Sequence, residues 1–194
     1  MLETLDDART ADLALVQSAR SGDDTARGEL YERHRGDSFR LAYRLLGNEH
    51  DALDVVQDSM IKAFAGLDDF DGRCGFRTWL LRIVTNTALD WGRRRKRQTK
   101  LFEADSAGKS DDLAALDDPS ARLQQQDLRR ILDQALDRLS PALRTTFVLH
   151  AELQLSYKEI AETQDVPIGT VMSRIHAARG KLQAVLDWNR LKDM

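Results

Sequence analysis

Chemistry-bearing residues concentrate first near the C-terminus, in the segment LSYKEIAETQDVPIGTVMSRIHAARGKL. Ser156 and Glu159 have the spacing of a capping box, in which the hydroxyl satisfies a backbone N–H ahead and the carboxylate one behind. Asp165-Val166-Pro167 stops that short helix, and a longer one follows. On the longer helix Val171, Ile175, Ala178 and Leu182 recur every three or four residues, which turns that stripe inward. The opposite face presents Thr170, Met172, Ser173, His176, Ala177 and Gly180, with Arg174, Arg179 and Lys181 flanking it. Small residues allow close approach, hydroxyl and imidazole groups reach base edges or phosphates, and cations meet the backbone. A helix that enters the major groove needs this division between an anchored stripe and an open one. An ordinary αα-hairpin with a mixed surface has the same spacing.

A second concentration is the run Arg93, Arg94, Arg95, Lys96, Arg97, at the end of a helix expected from Phe76 to Arg97. The helix dipole favours cations there whatever their use. With Trp91 and the preceding loop DDFDGRCGFR, the run also offers cations beside aromatic surface, a combination suited to single-stranded or melted DNA. Trp79 and Trp91 fall on the apolar stripe of that helix and are assigned to the core. Residues for catalysis are missing from the pattern: there is no Gly-rich phosphate loop and no nucleophile–base arrangement. His34, His50, His150 and His176 share no ligand spacing. Cys74 is the single cysteine, so it forms no intrachain disulfide and no redox pair. The expectation is a protein that is not an enzyme, with no metal and no cofactor.

The elements that must position these groups are helical throughout. The 194 residues include only three prolines and 11 glycines, with 6% aromatics and 31% charged residues, which predicts an all-α chain. The clearest helix runs from Asp51 to Leu67. Ala52, Val55, Val56, Met60, Ala63, Phe64 and Leu67 share one face, and Asn48 is the N-cap. Helices are also expected at Leu13–Arg20, Ala26–Leu46, Leu128–Arg138, Pro141–Glu152, Tyr157–Gln164 and Ile168 to about Trp188. Ser140 caps the helix that Pro141 opens. Between Gln98 and Gln126 the periodicity lapses. Leu101–Asp127 holds seven acids against two bases, and little apolar surface to offset the entropy of ordering. The organisation is therefore two small helical domains, 10–97 and 127–191, joined by a flexible acidic linker at 98–126.

The net charge of −3 does not advertise nucleic-acid binding, and from Leu128 onward ten bases against eight acids give only +2. That is weak for a stand-alone DNA binder and assigns part of the affinity to a partner. The N-terminus carries four acids in its first seventeen residues and no continuous apolar core, so it is not a signal peptide. No apolar run approaches the roughly 18 residues of a membrane span, and a cytoplasmic protein without membrane insertion is expected.

At this point the residues resemble a known family. DALDVVQDSMIKAFAGLDDFDGRCGFRTWLLRIVTNTALDWGRRRKR is similar to region 2 of extracytoplasmic-function (ECF) sigma factors of the sigma-70 family. LSPALRTTFVLHAELQLSYKEIAETQDVPIGTVMSRIHAARGKL is similar to their region 4. The resemblance implies a promoter-reading subunit that joins the RNA polymerase core through the β′ clamp and the β subunit. The family's D-x-x-Q-[DE] pattern falls here on Asp54, Gln57 and Asp58, with Ile61 as an apolar neighbour, and implies the clamp contact. Phe70, Arg73, Arg77, Asn86, Arg93, Arg94 and Arg95 would meet the minus-ten element, where a flipped base is captured. Thr170, Met172, Ser173, Arg174, His176, Ala177, Arg179 and Lys181 would read the minus-thirty-five element. Met172 and Ala177 stand where the family often has basic residues, which bears on the preferred promoter. An anti-sigma factor is the implied regulator. The competing reading is a helix-turn-helix regulator that never binds the polymerase; it has no need of Asp54, Gln57 and Asp58.

Overall fold

The computed structural model describes residues 3–101 and 132–192, and among them every regular element is helical. Helix α1 spans Glu3–Arg20, starting well before the expected Leu13. Helix α2 spans Asp24–Leu46. The Asp23 carboxylate caps it, accepting from the Thr25 and Ala26 N–H groups at 2.8 and 3.2 Å. Gly47 ends α2 at φ 68°, a left-handed conformation that glycine adopts without strain.

Helix α3, Glu49–Ala65, begins as its sequence dictates, with Asn48 accepting from the Asp51 N–H at 2.9 Å. It stops before the expected Leu67, because the chain tightens at Gly66 into a 3₁₀ turn over Leu67–Asp69. Helix α4, Phe76–Leu101, runs past the expected Arg97 and takes in the first residues assigned to the linker. Gln98, Thr99, Lys100 and Leu101 include neither glycine nor proline, so nothing stops the helix there. The remainder of the 98–126 linker, and the start of the expected Leu128–Arg138 helix, lie outside the described residues.

Four helices follow: α5 at 132–137, α6 at Pro141–Ala151, α7 at Tyr157–Gln164 and α8 at Ile168–Lys192. Ser140 is extended at the start of α6, but its hydroxyl makes no cap bond there; Pro141 sets the first turn. The Ser156–Glu159 capping box is complete in both directions. Asp165 ends α7 in the left-handed region at φ 54°, ψ 52°. A short polar side chain tolerates that conformation better than a branched one.

In the first half α2, α3 and α4 pack mutually, with α1 across α2. The expected stripe of α3 is the observed one: Ala52, Val55, Val56, Met60 and Ala63 are buried, and Phe64 packs partly buried beside them. Leu30, Leu41, Phe76, Leu80, Leu81 and Val84 complete that core. Burying each large apolar side chain contributes about 1.5–3 kcal/mol. In the second half Val148, Leu149, Ile160, Val171 and Ile175 form the centre. These two sets belong to one continuous cluster, because α7 lies against α4 and α6 against α2. Ala135, Leu136 and Leu139 join Ala178 and Leu182 in a smaller cluster at the far end.

Candidate nucleic-acid and partner interfaces

The α3 stripe that faces the core leaves the other side of the helix to solvent. Asp54, Gln57, Asp58 and Ile61 are all exposed there, and Ile61 retains 60% of its surface. Leu53, 51% exposed, lies one turn before Gln57 on the same side and was not singled out from the sequence. Helical spacing puts Leu53, Gln57 and Ile61 in one row, with Asp54 and Asp58 in the row beside it. Two large apolar residues left open among acids form a surface suited to a partner that is apolar and basic by turns.

The loop from Phe70 to Phe76 joins that helix to α4. Phe70 is only 3% exposed, in contrast to a DNA-contacting residue: its ring lies 5.9 Å edge-on to Phe76 and 5.2 Å from Trp79. Apolar burial claims this aromatic, and the loop turns its polar residues outward instead. Asp71 and Arg73 are exposed, and the Asp71 carboxylate accepts from the Arg73 N–H at 3.0 Å and from Arg73 Nε at 2.5 Å. The backbone bond from Arg73, then its guanidinium, holds the Asp71 carboxyl below the usual carboxylate range. Cys74 is half-buried, and burial, followed by the Glu162 charge, pushes its thiol up and away from reactivity.

Along α4 the candidates divide. Asn86 is exposed, not a buried satisfied amide. Arg77 is already engaged: Asp37 accepts from its Nε at 2.7 Å and from its Nη2 at 2.5 Å, and the Leu153 carbonyl accepts from Nη2 at 2.8 Å. Arg93 pairs with Asp90 at 2.5 Å and Arg95 with Asp51, while Arg93, Arg94 and Arg95 are all exposed. The Arg93 bond is also what lowers the Asp90 carboxyl. Trp79 and Trp91 pack against the core, half-buried, as their spacing requires.

The loop backbone is held from a quarter that the sequence did not reveal. Arg20 of α1 donates from Nε and Nη2 to the Leu67 carbonyl at 3.0 and 2.9 Å, and from Nη2 to the Phe70 carbonyl. Arg9 Nη2 donates to the Gly72 and Arg73 carbonyls at 3.0 and 3.2 Å. These partners stand 47 to 64 residues apart in the chain. No local pattern signals such pairs.

In the helix-turn-helix, Val171, Ile175, Ala178 and Leu182 are buried, as their periodicity predicts. Met172, Ser173, His176, Ala177, Arg179 and Lys181 are exposed, and Thr170 is half-buried. Arg174 has a different setting. It is half-buried and donates to Gln164 Oε1 at 2.8 Å, and the Thr146 hydroxyl meets the same oxygen at 2.9 Å. One amide oxygen thus ties α6, α7 and α8 together. Arg179 Nη2 lies 3.4 Å from His150 Nε2.

Ion pairs also bridge the two halves. Arg44 on α2 reaches Glu152 at 2.9 Å and Asp133, and Arg82 on α4 reaches Asp165 at 3.3 Å. Among the described residues no three His, Cys, Asp or Glu side chains converge as a metal-ligand set, and no helix is long and apolar enough to cross a membrane.

Comparison with known proteins gives consistent matches for both halves. A model of Sigma-70 region 2 matches residues 30–98, and one of Sigma-70 region 4 matches residues 129–182. The ECF RNA polymerase sigma factor SigW of Bacillus subtilis (strain 168) is 33% identical over 178 residues, covering 88% of this chain and 94% of its own. The ECF RNA polymerase sigma-E factor of Escherichia coli (strain K12) is 35% identical over 173 residues, covering 87% and 90%. Among solved structures, CnrH in complex with the cytosolic domain of CnrY is 35% identical and superposes with a TM-score of 0.68, over 91% of this chain and 97% of that one. The sigma factor RpoE in complex with the anti-sigma factor NepR, from Bartonella quintana, is 26% identical with the same TM-score, over 82% and 96%.

Proposed function

The chain belongs to the ECF sigma factors of the sigma-70 family and is thus an alternative sigma factor, and on that premise we propose which of its surfaces performs each part of promoter-specific initiation. Residues 10–97 form the region 2 domain and 127–191 the region 4 domain, with 98–126 as the linker. Asp54, Gln57, Asp58 and Ile61 bind the β′ clamp of the polymerase core. Arg73, Asn86 and the cations Arg93, Arg94 and Arg95 meet the minus-ten element, and Arg77 joins them once its bonds to Asp37 and Leu153 are released. Phe70 supports the loop from beneath. The outer face of α8, through Thr170, Met172, Ser173, His176, Ala177, Arg179 and Lys181, reads the minus-thirty-five element, with Arg174 setting the angle of the helix.

One observation carries this reading most of the way: the acidic–apolar face of α3 is left wholly to solvent although it holds two of the few large exposed apolar residues. A self-sufficient DNA binder has no use for such a face. The modest charge of the second half agrees, since binding through few phosphates is weak until a partner contributes. The protein works without a cofactor and without catalysis of its own, in the cytoplasm where the polymerase is. The structure of the similar RpoE with the anti-sigma factor NepR supports a further proposal, that an anti-sigma factor controls this chain. A pulldown that recovers polymerase subunits and nothing else would oppose that part.

The direct test is transcription from a promoter library by core polymerase with the purified chain, alongside the Asp54→Ala/Gln57→Ala variant. Promoter-specific transcripts should appear with the wild type and fall at least about tenfold with the variant, the equivalent of one lost charge-assisted contact. Equal transcription by the two proteins would remove α3 from the clamp interface.

A further inference from the structure

The promoter-facing loop between α3 and α4 has a short, polar, Gly-containing sequence, yet its backbone is fixed from outside. Four of its carbonyls, those of Leu67, Phe70, Gly72 and Arg73, accept hydrogen bonds from two arginines of α1. Helix α1 lies wholly before the stretch that matches the region 2 family model, which begins at residue 30. We propose that α1 is a brace, and that Arg20 and Arg9 are positioning residues for minus-ten recognition, holding the loop backbone in its base-accepting shape before DNA arrives. This rests on the assignment of the loop and α4 to the minus-ten element.

The geometry argues for a brace rather than for incidental surface contacts. A carbonyl is a fixed dipole, and a guanidinium presents several donors in a rigid fork, so one arginine can hold two carbonyls at a set angle. Arg20 does so for Leu67, the first residue of the 3₁₀ turn, and Phe70, which caps its end. Arg9 does so for Gly72 and Arg73 at the tip. Between them Gly72 sits at φ 73°, and a Cβ on it would lie 3.6 Å from Leu13 Cδ2, so the α1 surface follows the turn closely.

The brace is itself anchored. Val16 and Ala19 are buried in the core, and the buried Asp12 carboxylate takes the Arg33 guanidinium at 2.7 Å with His34 Nε2 at 2.9 Å. The His34 ring in turn lies 5.3 Å from Phe76, the first residue of α4. Both ends of the loop are thereby referred to one rigid helix. With the carbonyls tied down, the outward groups Asp71 and Arg73 are presented without the loop having to be ordered on binding. Extruding a base is already unfavourable, and a preset loop spares the complex a second ordering penalty.

The test compares wild type with Arg20→Ala, Arg20→Lys and the milder Arg9→Ala, each as full chain with core polymerase. Two controls accompany them: Asn86→Ala, which touches the proposed base contact itself, and Asp54→Ala, which touches the core contact. The readouts are core affinity, thermal melting, rate of promoter opening, and the ratio of opening rates between a preferred and a substituted minus-ten base. Arg20→Ala should slow opening and compress that ratio by about tenfold, the scale of one charge-assisted hydrogen bond, with core affinity unchanged. Arg20→Lys should recover part of the effect, since an ammonium can donate to both carbonyls as Nη2 does, but it lacks the Nε bond to Leu67 and the fixed plane of the guanidinium. Arg9→Ala should move both readouts the same way by less.

A general loss of folding would lower core affinity and opening together and leave the base ratio untouched, which would overturn the brace. So would an unchanged ratio in Arg20→Ala while Asn86→Ala alters it. If neither Asn86→Ala nor the α1 variants affect opening, the minus-ten assignment itself fails, and the brace with it.

Discussion

Among the described residues Asp12 is the most fully enclosed carboxylate, and its chemistry sets a clear expectation. Burial alone would raise its pKa, but the contacts from His34 and then Arg33 outweigh this and hold the carboxyl below its ordinary value. His34 Nε2 lies 2.9 Å from the second Asp12 oxygen without the alignment of a good hydrogen bond. A carboxyl depressed in the folded state stabilises the fold above its unfolded pKa, near 3.9, and loses that stabilisation as pH falls through the folded value. Asp12→Asn should therefore cost about 1–3 kcal/mol near neutral pH. The gap in melting temperature between the two proteins should narrow steadily below about pH 4. A constant gap across that range would mean that Asp12 contributes by shape rather than by charge. Residues of this kind were not legible in the chain: Asp12 reads as one more acid near the N-terminus, and its partners lie 21 and 22 residues away on another helix. Phe70 and Arg77 show the same limit. Sequence suggests that a loop aromatic and a nearby cation face DNA, but only tertiary packing turns one inward and gives the other two partners.

Whole elements were far more legible, because their signals are local. Ala52, Val55, Val56, Met60 and Ala63 occupy the buried face of α3 that their spacing assigns, and the N-cap is Asn48 as read. The helix-turn-helix came through with its buried stripe and the bounds of α7 intact. Errors gathered at the ends, where Gly66 cut α3 short and α4 ran on through residues with no reason to stop. The capping box offers a test at this scale. Ser156→Ala leaves the Glu159 N–H without its acceptor and should destabilise the chain by about 1 kcal/mol, read as a lower melting temperature. Ser140→Ala should be close to neutral by the same measurement, since that hydroxyl caps nothing. Equal losses at the two serines would show that neither depends on the side-chain bond.

Across the whole molecule, the two helical halves are packed on one another. The elements proposed for them stand about 25 base pairs apart by name, or about 85 Å of B-form helix at roughly 34 Å per ten base pairs. On the proposed assignment, the bond from Arg77 of one half to the Leu153 carbonyl of the other has to break, and the halves have to part, for both elements to be engaged at once. Buried apolar residues and the half-buried Arg44–Glu152 pair oppose this parting. Removing Glu152 leaves Arg44 in a poorly hydrated site with Asp133 as its remaining acidic partner. Glu152→Ala should accordingly loosen the closed arrangement, seen as a larger radius of gyration in solution scattering with helix content unchanged. An unchanged radius would assign the closure to the apolar contacts and the remaining polar bridges.

The tie between Arg174, Gln164 and Thr146 has a consequence for how such a protein diversifies. The groups that hold α8 in place and the groups that look outward from it are almost entirely different residues. With the outer face of α8 reading the promoter as proposed, one copy could drift at Met172, Ser173, His176 and Ala177 after a gene duplication and acquire a new set of target genes while its stability stays nearly level. Surface changes away from special features usually shift stability by less than about 0.5 kcal/mol. Selection on the address and selection on the fold then act on separate positions, and a lineage can explore one without endangering the other.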